Sequence, residues 1–482
     1  MNKASVVGKI IATGTLKLLS PLLIGNGSQN EHDVYNVDMP VVADKDGNPF
    51  IPATSLAGVL RDIVWNLEKE QDKLGTANIF GTSSDISKYI KKGDIEEQQS
   101  MISVNDIILE NAKISNRDGV SIEAITGVAK KHHKYDFEVV ERGATGNFYI
   151  EITVREYHKD VERNQKINNL LSQLWSILSN EFSMGAMTSK GFGRVYVENL
   201  IVDTYDFKNN KDDVIAWLNP DNRQNPLSHK IYRKGERGIS YPQDSFVIEA
   251  KFTIDGSLLI KDKSFDALLL QAEDNVKAVM KSSCNDLLIP GSSIKGVLRH
   301  RAEYIADILG ASYDMIYSLM GYPSGMKDEN DKEIKLRSRL IVNEVYINPR
   351  NIQKYNQTRI RIDRFTGGTI DSALFTEQPI TVSDTEAPIN IKMVIHRAKD
   401  HEIGLLICLL RDLWLGRISI GSDKAIGRGI LKGVSAKIWY GKENADKPWK
   451  MNENGKIEGC ETNLLSKYVD AFINFCKGSE VK

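Results

Sequence analysis

Four short peptides recur in one order, at nearly one spacing, across the two halves of this chain. IPATSLAGVLR at 51–61 returns as IPGSSIKGVLR at 289–299, an offset of 238 residues. SVNDIILENA from Ser103 pairs with IVNEVYINPR from Ile341, and IEAITG from Ile122 with IDRFTG from Ile362, at an offset of 240. SKGFGR from Ser189 pairs with DKAIGR from Asp423, at an offset of 234. A period of that size describes two copies of one domain, not a solenoid. The repeated pieces carry glycine, serine and arginine at strand–helix junctions, the places where a backbone can hold a phosphate.

Length fits this division. The chain has 482 residues, so each copy has enough chain for its own core. Its 63 basic and 64 acidic side chains leave a net charge of −1, so any basic surface is local. The opening MNKASVVGKIIATGTLKLL alternates like a strand and lacks the apolar block of a signal peptide. The apolar run LLICLL at 405–410 is too short to span a bilayer. Cys284, Cys408, Cys460 and Cys476 are scattered without a CxxC pair, which argues against a zinc site or a disulfide framework. The expectation is a cytoplasmic protein with no membrane partner.

The first copy is expected over 8–204, a polar linker over 205–240, the second copy over 241–440 and a tail over 441–482. A strand from Lys9 to Ile24 ends in the turn Gly25–Asn26–Gly27. The helix after IPATS shows one apolar face, Leu56, Val59, Leu60, Ile63, Val64 and Leu67, with Thr54 or Ser55 placed as its N-cap. A second helix covers 170–178, and its counterpart lies near 405–415. Strand, helix, strand, strand, helix, strand in each half predicts an α+β fold of two tandem ferredoxin-like (RRM-like) domains with insertions. Fold alone carries no function.

Three elements are candidates for chemistry. The 51–61 and 289–299 loops present Ser55, Ser292 and Ser293 at helix starts, with Arg61, Lys295 and Arg299 to neutralise an anion. A plain helix cap with exposed cations is the competing reading. The SKGFGR and DKAIGR loops supply Lys190, Arg194, Lys424 and Arg428. There the glycines either admit a ligand to the backbone or only turn the chain. No Walker pattern precedes a helix, which argues against P-loop ATP chemistry. The third element is a basic, aromatic stretch in each copy. The first carries Lys130, Lys131, His132, His133, Lys134, Tyr135 and Phe137. The second carries Arg350, Lys354, Tyr355, Arg359, Arg361, Arg364 and Phe365. Such a mixture suits a groove that tracks a nucleic-acid backbone and stacks bases, or else a solvated charged loop. His132 and His133 point opposite ways on an extended segment, which disfavours a shared metal.

Taken in order, these motifs resemble the RAMP superfamily, specifically the backbone subunits of type III CRISPR effector complexes. The first copy shows LLIGNG, VDMPVVADKDGNPFIPATSLAG, IEAITG, YDFEVV and SKGFGR; the second shows IPGSSIKG, IDRFTG, ALFTEQPI and DKAIGR. The resemblance implies a subunit that grips a CRISPR guide RNA with its IPGSS and GxGR loops. It implies a thumb hairpin that wedges into the duplex with a complementary target RNA. It further implies target cleavage at a loop aspartate with a divalent metal, Mg²⁺ or Mn²⁺. By position that aspartate, catalytic and metal-ligating, is Asp38 in NVDMPVV, with Asp274 as a second site. Other RAMP backbone subunits and a large signalling subunit are the implied partners.

The second copy departs from the pattern. It reads LLIKDKSFD where the first reads LLIGNGSQN, and it has Lys295 where the first has Ala57. It also lacks a clear x-D-x-P-V loop. A non-catalytic RNA-binding scaffold is therefore a live alternative, at least for that half. Another is a guide-precursor endoribonuclease using His132, His133 or Tyr135 without metal. A tandem small-molecule regulatory module is the reading without RNA.

Overall fold

The computed structural model describes residues 4–27, 37–69, 72–82, 99–123, 126–218, 228–235, 244–262, 276–323, 326–327, 331–334, 336–371, 373–382, 387–441, 447–460 and 462–478. The chain forms two compact units. The first comprises 1–117, 135–188 and 192–243; the second comprises 244–482 together with 118–134 and 189–191.

In the first unit, the alternating segment Val6–Leu18 is the central strand. It pairs antiparallel with Thr145–Arg155 on one side and Arg194–Asp206 on the other, and Ile102–Val104 pairs onto Thr145–Arg155. Numbering these four strands by chain order, the sheet runs 4-1-3-2, the order of a ferredoxin-like domain. Helices Ala53–Leu67 and Val161–Asn180 cover it. The expected face of the first helix is observed. Leu56, Leu60, Ile63 and Val64 are buried, and Val59 and Leu67 pack against the same core.

The second unit repeats the arrangement. Ser245–Asp255 is flanked by Ile389–His396 and Ile430–Tyr440, and Leu340–Val342 pairs onto Ile389–His396. Helices Gly291–Leu309 and Asp400–Trp414 carry apolar faces into its core. The predicted fold class is the observed one.

The polar linker and the tail both contain regular structure. Within 205–240 lie a helix, Lys211–Leu218, and a strand, Ser228–Tyr232, that extends the first sheet beside Arg194–Asp206. The tail adds Trp449–Met451 and Ile457–Glu458 to the second sheet. It ends in the helix Thr462–Gly478, packed on Asp400–Trp414. Gly404 permits that approach, since a Cβ there would lie 2.1 Å from the Tyr468 carbonyl oxygen. Polarity hid these elements because each needs only one apolar face.

Candidate nucleic-acid interface

The first copy's basic segment forms a hairpin. Ile114–Ile122 pairs with Ala129–Val140, and the turn closes through Gly127 N–H to the Glu123 carbonyl at 2.9 Å. A buried ion pair braces its base, Arg117 Nη2 to Glu141 Oε1 at 2.7 Å, with the Ser115 hydroxyl also donating to Glu141. Lys130, Lys131 and His133 are exposed beside exposed Val120, Ile122 and Val128. His132 lies in the same strand, and its side chain falls outside the described residues.

Asp38 sits against that hairpin. Its carboxylate is exposed, and Oδ2 accepts the Asp136 amide at 2.9 Å. Along the same edge the Glu138 amide donates to the Met39 carbonyl at 2.9 Å. The Val41 amide returns to Glu138 Oε2 at 3.0 Å. On its other side the loop is tied to the glycine turn, Val42 N–H to Ile24 O at 2.8 Å and Asn26 N–H to Pro40 O at 3.3 Å. The loop carrying Asp38 is thus fixed between two elements.

The helix starts differ from expectation. Pro52, not Thr54 or Ser55, occupies the N-cap of Ala53–Leu67, with no side-chain cap. Instead Asp106 Oδ1 accepts the Ala53 amide at 2.6 Å. A protein carboxylate therefore already complements this helix dipole. The signal was present in SVNDIIL, repeated as IVNEVYI, but a cap supplied from 53 residues away has no local signature. Ser55 and Arg61 lie half-buried on this helix. At the second helix, Ser292 is exposed and Ser293 half-buried, and Pro290 again holds the N-cap.

Lys295 turns inward. Its ammonium donates to Ser338 Oγ at 2.6 Å and to the Leu340 carbonyl at 3.0 Å. Burial, then the neighbouring charges of Lys190 and Arg299, lower its pKa to about 7. The start of the second helix is thus an electropositive locus inside the second unit. Arg299 itself donates to Glu303 at 2.9 Å and to the Gly321 carbonyl at 3.1 Å.

The two GxGR loops are built alike. Gly193 and Gly429 have φ of +70° and +79°, and a Cβ would lie 1.8 Å from Met184 O and 1.9 Å from Ile420 O. Their amides donate to Pro21 O and Ser257 O, each at 2.7 Å. These glycines turn the chain tightly against itself, the blander of the two sequence readings. Both arginines have intramolecular partners. Arg194 forks onto Glu181 at 2.7 and 3.2 Å. Arg428 is 2% exposed and binds Glu377 at 2.7 Å, Asp423 at 2.9 Å and Gln357. Lys261 and Arg359 complete that cluster, at 3.0 and 2.8 Å from Glu377. These cations outweigh desolvation and hold the Glu377 carboxyl below its usual range. Lys190 is half-buried and Lys424 exposed.

In the second copy the IDRFTG anchor is a tight turn, with Gly367 N–H to Asp363 O at 3.0 Å. Arg361 and Arg364 are exposed, and Phe365 is 100% exposed at the tip, near exposed Ile360, Ile362 and Ile370. Phe137, its counterpart as a stacking candidate, is 5% exposed and packs on Phe192 at 6.0 Å, with Tyr135 stacked on it at 5.8 Å. Phe137 is a core residue, not a platform. Asp274 lies outside the described residues. Among the described residues no group of three or more His, Cys, Asp or Glu forms a metal cage, and no helix is long and apolar enough to cross a membrane.

Fold and surface together define a tandem ferredoxin-like protein whose loops carry exposed basic and apolar side chains. The RAMP superfamily model matches it twice, at 15–196 and 251–432, a spacing close to that of the repeated peptides. The chain belongs to the RAMP superfamily. That membership points to CRISPR-associated RNA binding and to assembly in a larger complex. No curated protein matches the chain.

Proposed function

We propose that this protein is a double-domain backbone subunit of a type III CRISPR effector, which holds guide RNA and cuts complementary target RNA at Asp38. The observation that carries this reading is the attachment of exposed Asp38 to the hairpin strand through the Asp136 amide. It places a carboxylate beside the element that would meet the guide–target duplex.

Asp38 Oδ2 accepts one backbone hydrogen bond, which orients the carboxylate and leaves Oδ1 to face the substrate. One carboxylate fits Mg²⁺, which binds through one or two carboxylates with water and substrate phosphate completing its shell. A bound Mg²⁺ or Mn²⁺ would stabilise charge developing on the phosphoryl oxygens. The chain's own contribution is to orient Asp38, to accept a proton from a ribose 2′-hydroxyl within reach, and to keep the target strand splayed. Exposed Val120, Ile122, Val128 and Phe365 supply apolar wedges; Lys130, Lys131, Arg361 and Arg364 supply phosphate contacts. Sequence choice would come from base pairing, as in another RNA-guided effector.

The second half is better read as scaffold. In its thumb strand Glu377 is bound by three cations, whereas Glu138 in the first copy holds the Asp38 loop. The test is incubation of the guide-loaded complex, with its other backbone and signalling subunits, with complementary RNA and Mg²⁺. Products at fixed positions support cutting. Bound but intact RNA leaves a scaffold, and products made equally in EDTA point to metal-free chemistry at His133 or Tyr135.

A further inference from the structure

We propose that Glu138 is a positioning residue for Asp38. The proposal rests on the reading of Asp38 as the cutting carboxylate.

The loop carrying Asp38 meets strand Ala129–Val140 through three hydrogen bonds in sequence. Two use the strand's backbone: Asp136 N–H to Asp38 Oδ2, and Glu138 N–H to Met39 O, both 2.9 Å. Residues two apart on a strand present their amides to the same edge, so this edge is the natural dock. Pro40 follows and has no N–H. The next donor in the loop is therefore Val41, and it faces the strand where no backbone acceptor meets it. Glu138 Oε2 fills that place at 3.0 Å. The loop is thus clamped on both sides of Pro40, with Glu138 supplying backbone and side chain.

The consequence is geometric. With Val41 held, Asp38 keeps one orientation relative to the hairpin. Without the side chain, the loop keeps its ties at Asp38 and Met39 to the strand and at Pro40 and Val42 to the glycine turn, but the Val41 amide loses its acceptor, and the segment that carries Asp38 is held less tightly against the hairpin. The corresponding stretch of the second copy cannot substitute by analogy. Glu377 lies on Phe375–Gln378, but its carboxylate is bound by Lys261, Arg359 and Arg428.

Glu138→Ala and Glu138→Gln separate positioning from direct chemistry. Gln keeps an acceptor oxygen for Val41 but loses the charge needed by a metal ligand or base. Two readouts are taken on the assembled complex: hydrogen–deuterium exchange of the peptide spanning residues 39–43, and single-turnover cleavage at saturating target. The expected result is faster exchange and a rate reduced about 10- to 100-fold in Glu138→Ala. Target affinity should be unchanged, and Glu138→Gln should restore both readouts. Unchanged exchange in Glu138→Ala, or a Glu138→Gln variant as slow as Glu138→Ala, overturns the proposal. If the wild-type complex binds target without cutting it, the Asp38 reading fails instead. The exchange result then still decides whether Glu138 holds the loop.

Discussion

The backbone amide of Asp136 donates to Asp38 Oδ2 across 2.9 Å, joining residues 98 apart in the chain. An amide donor on one carboxylate oxygen fixes where the second oxygen points. The bond comes from backbone, so its donor is removed by Asp136→Pro and not by side-chain truncation. Asp136→Pro should lower target cleavage at least 10-fold, an effect the order of a lost orienting contact. A cleavage assay beside a circular-dichroism melt separates that from simple unfolding.

Arg428 should behave as a stability residue. Its guanidinium is buried among Glu377, Asp423 and Gln357, and removing one partner of a buried ionic cluster costs about 3 kcal/mol. Lys261 and Arg359 still neutralise Glu377, which keeps the cost at the lower end of that range. Arg428→Met should therefore lower the denaturation midpoint while leaving the salt dependence of RNA binding unchanged. A salt slope shallower by about one unit would mean that Arg428 contacts phosphate.

Phe365 and Phe137 should separate in the opposite way. Phe365 is fully exposed, so Phe365→Ala should leave stability within about 0.5 kcal/mol yet weaken binding of paired or splayed RNA by roughly 1–3 kcal/mol. Phe137 is core, and Phe137→Ala should destabilise the first unit by about 3–5 kcal/mol. Thermal melts and fluorescence-anisotropy titrations of both variants measure the contrast.

Acid should destabilise both units through matched histidines. Burial, then the charges of Arg163 and Arg155, lowers His158 to about 4; burial, then Arg337 and Arg397, lowers His396 to about 4. The unfolded chain binds these protons from about pH 6.5 downward. Each histidine's contribution is thus complete above that pH and is lost as pH falls toward 4, on the order of 1 kcal/mol per pH unit. Lys295, lowered to about 7, makes stability rise with pH from about 7 to its ordinary value of 10.5. Urea titrations across pH should show both slopes, with His158→Gln, His396→Gln and Lys295→Met each flattening its own window.

Much of the fold was legible because repetition and periodicity are local signals. The two copies, the ferredoxin-like order and the apolar face from Leu56 to Leu67 follow from spacing alone. The polar stretches were harder. Lys211–Leu218 and Thr462–Gly478 bury only part of their surface, and Ser228–Tyr232 has no buried residue at all. At the site, sequence could place Arg194 and Arg428 on glycine loops but could not foresee Glu181, Glu377 and Asp423 as their partners. Asp423 is only 5 residues from Arg428 and Glu181 only 13 from Arg194, so those pairings were hidden by geometry, whereas Glu377, like Asp106 at the Ala53 amide and Glu138 at Val41, is distant in sequence from the group it meets.

The most direct test of the account is target-RNA cleavage by the guide-loaded complex carrying Asp38→Ala, in Mg²⁺ and in EDTA, with target affinity measured alongside. The account predicts that wild type yields a defined product only with metal, and that Asp38→Ala loses that product while binding target as tightly as wild type. Unchanged product from Asp38→Ala would contradict it.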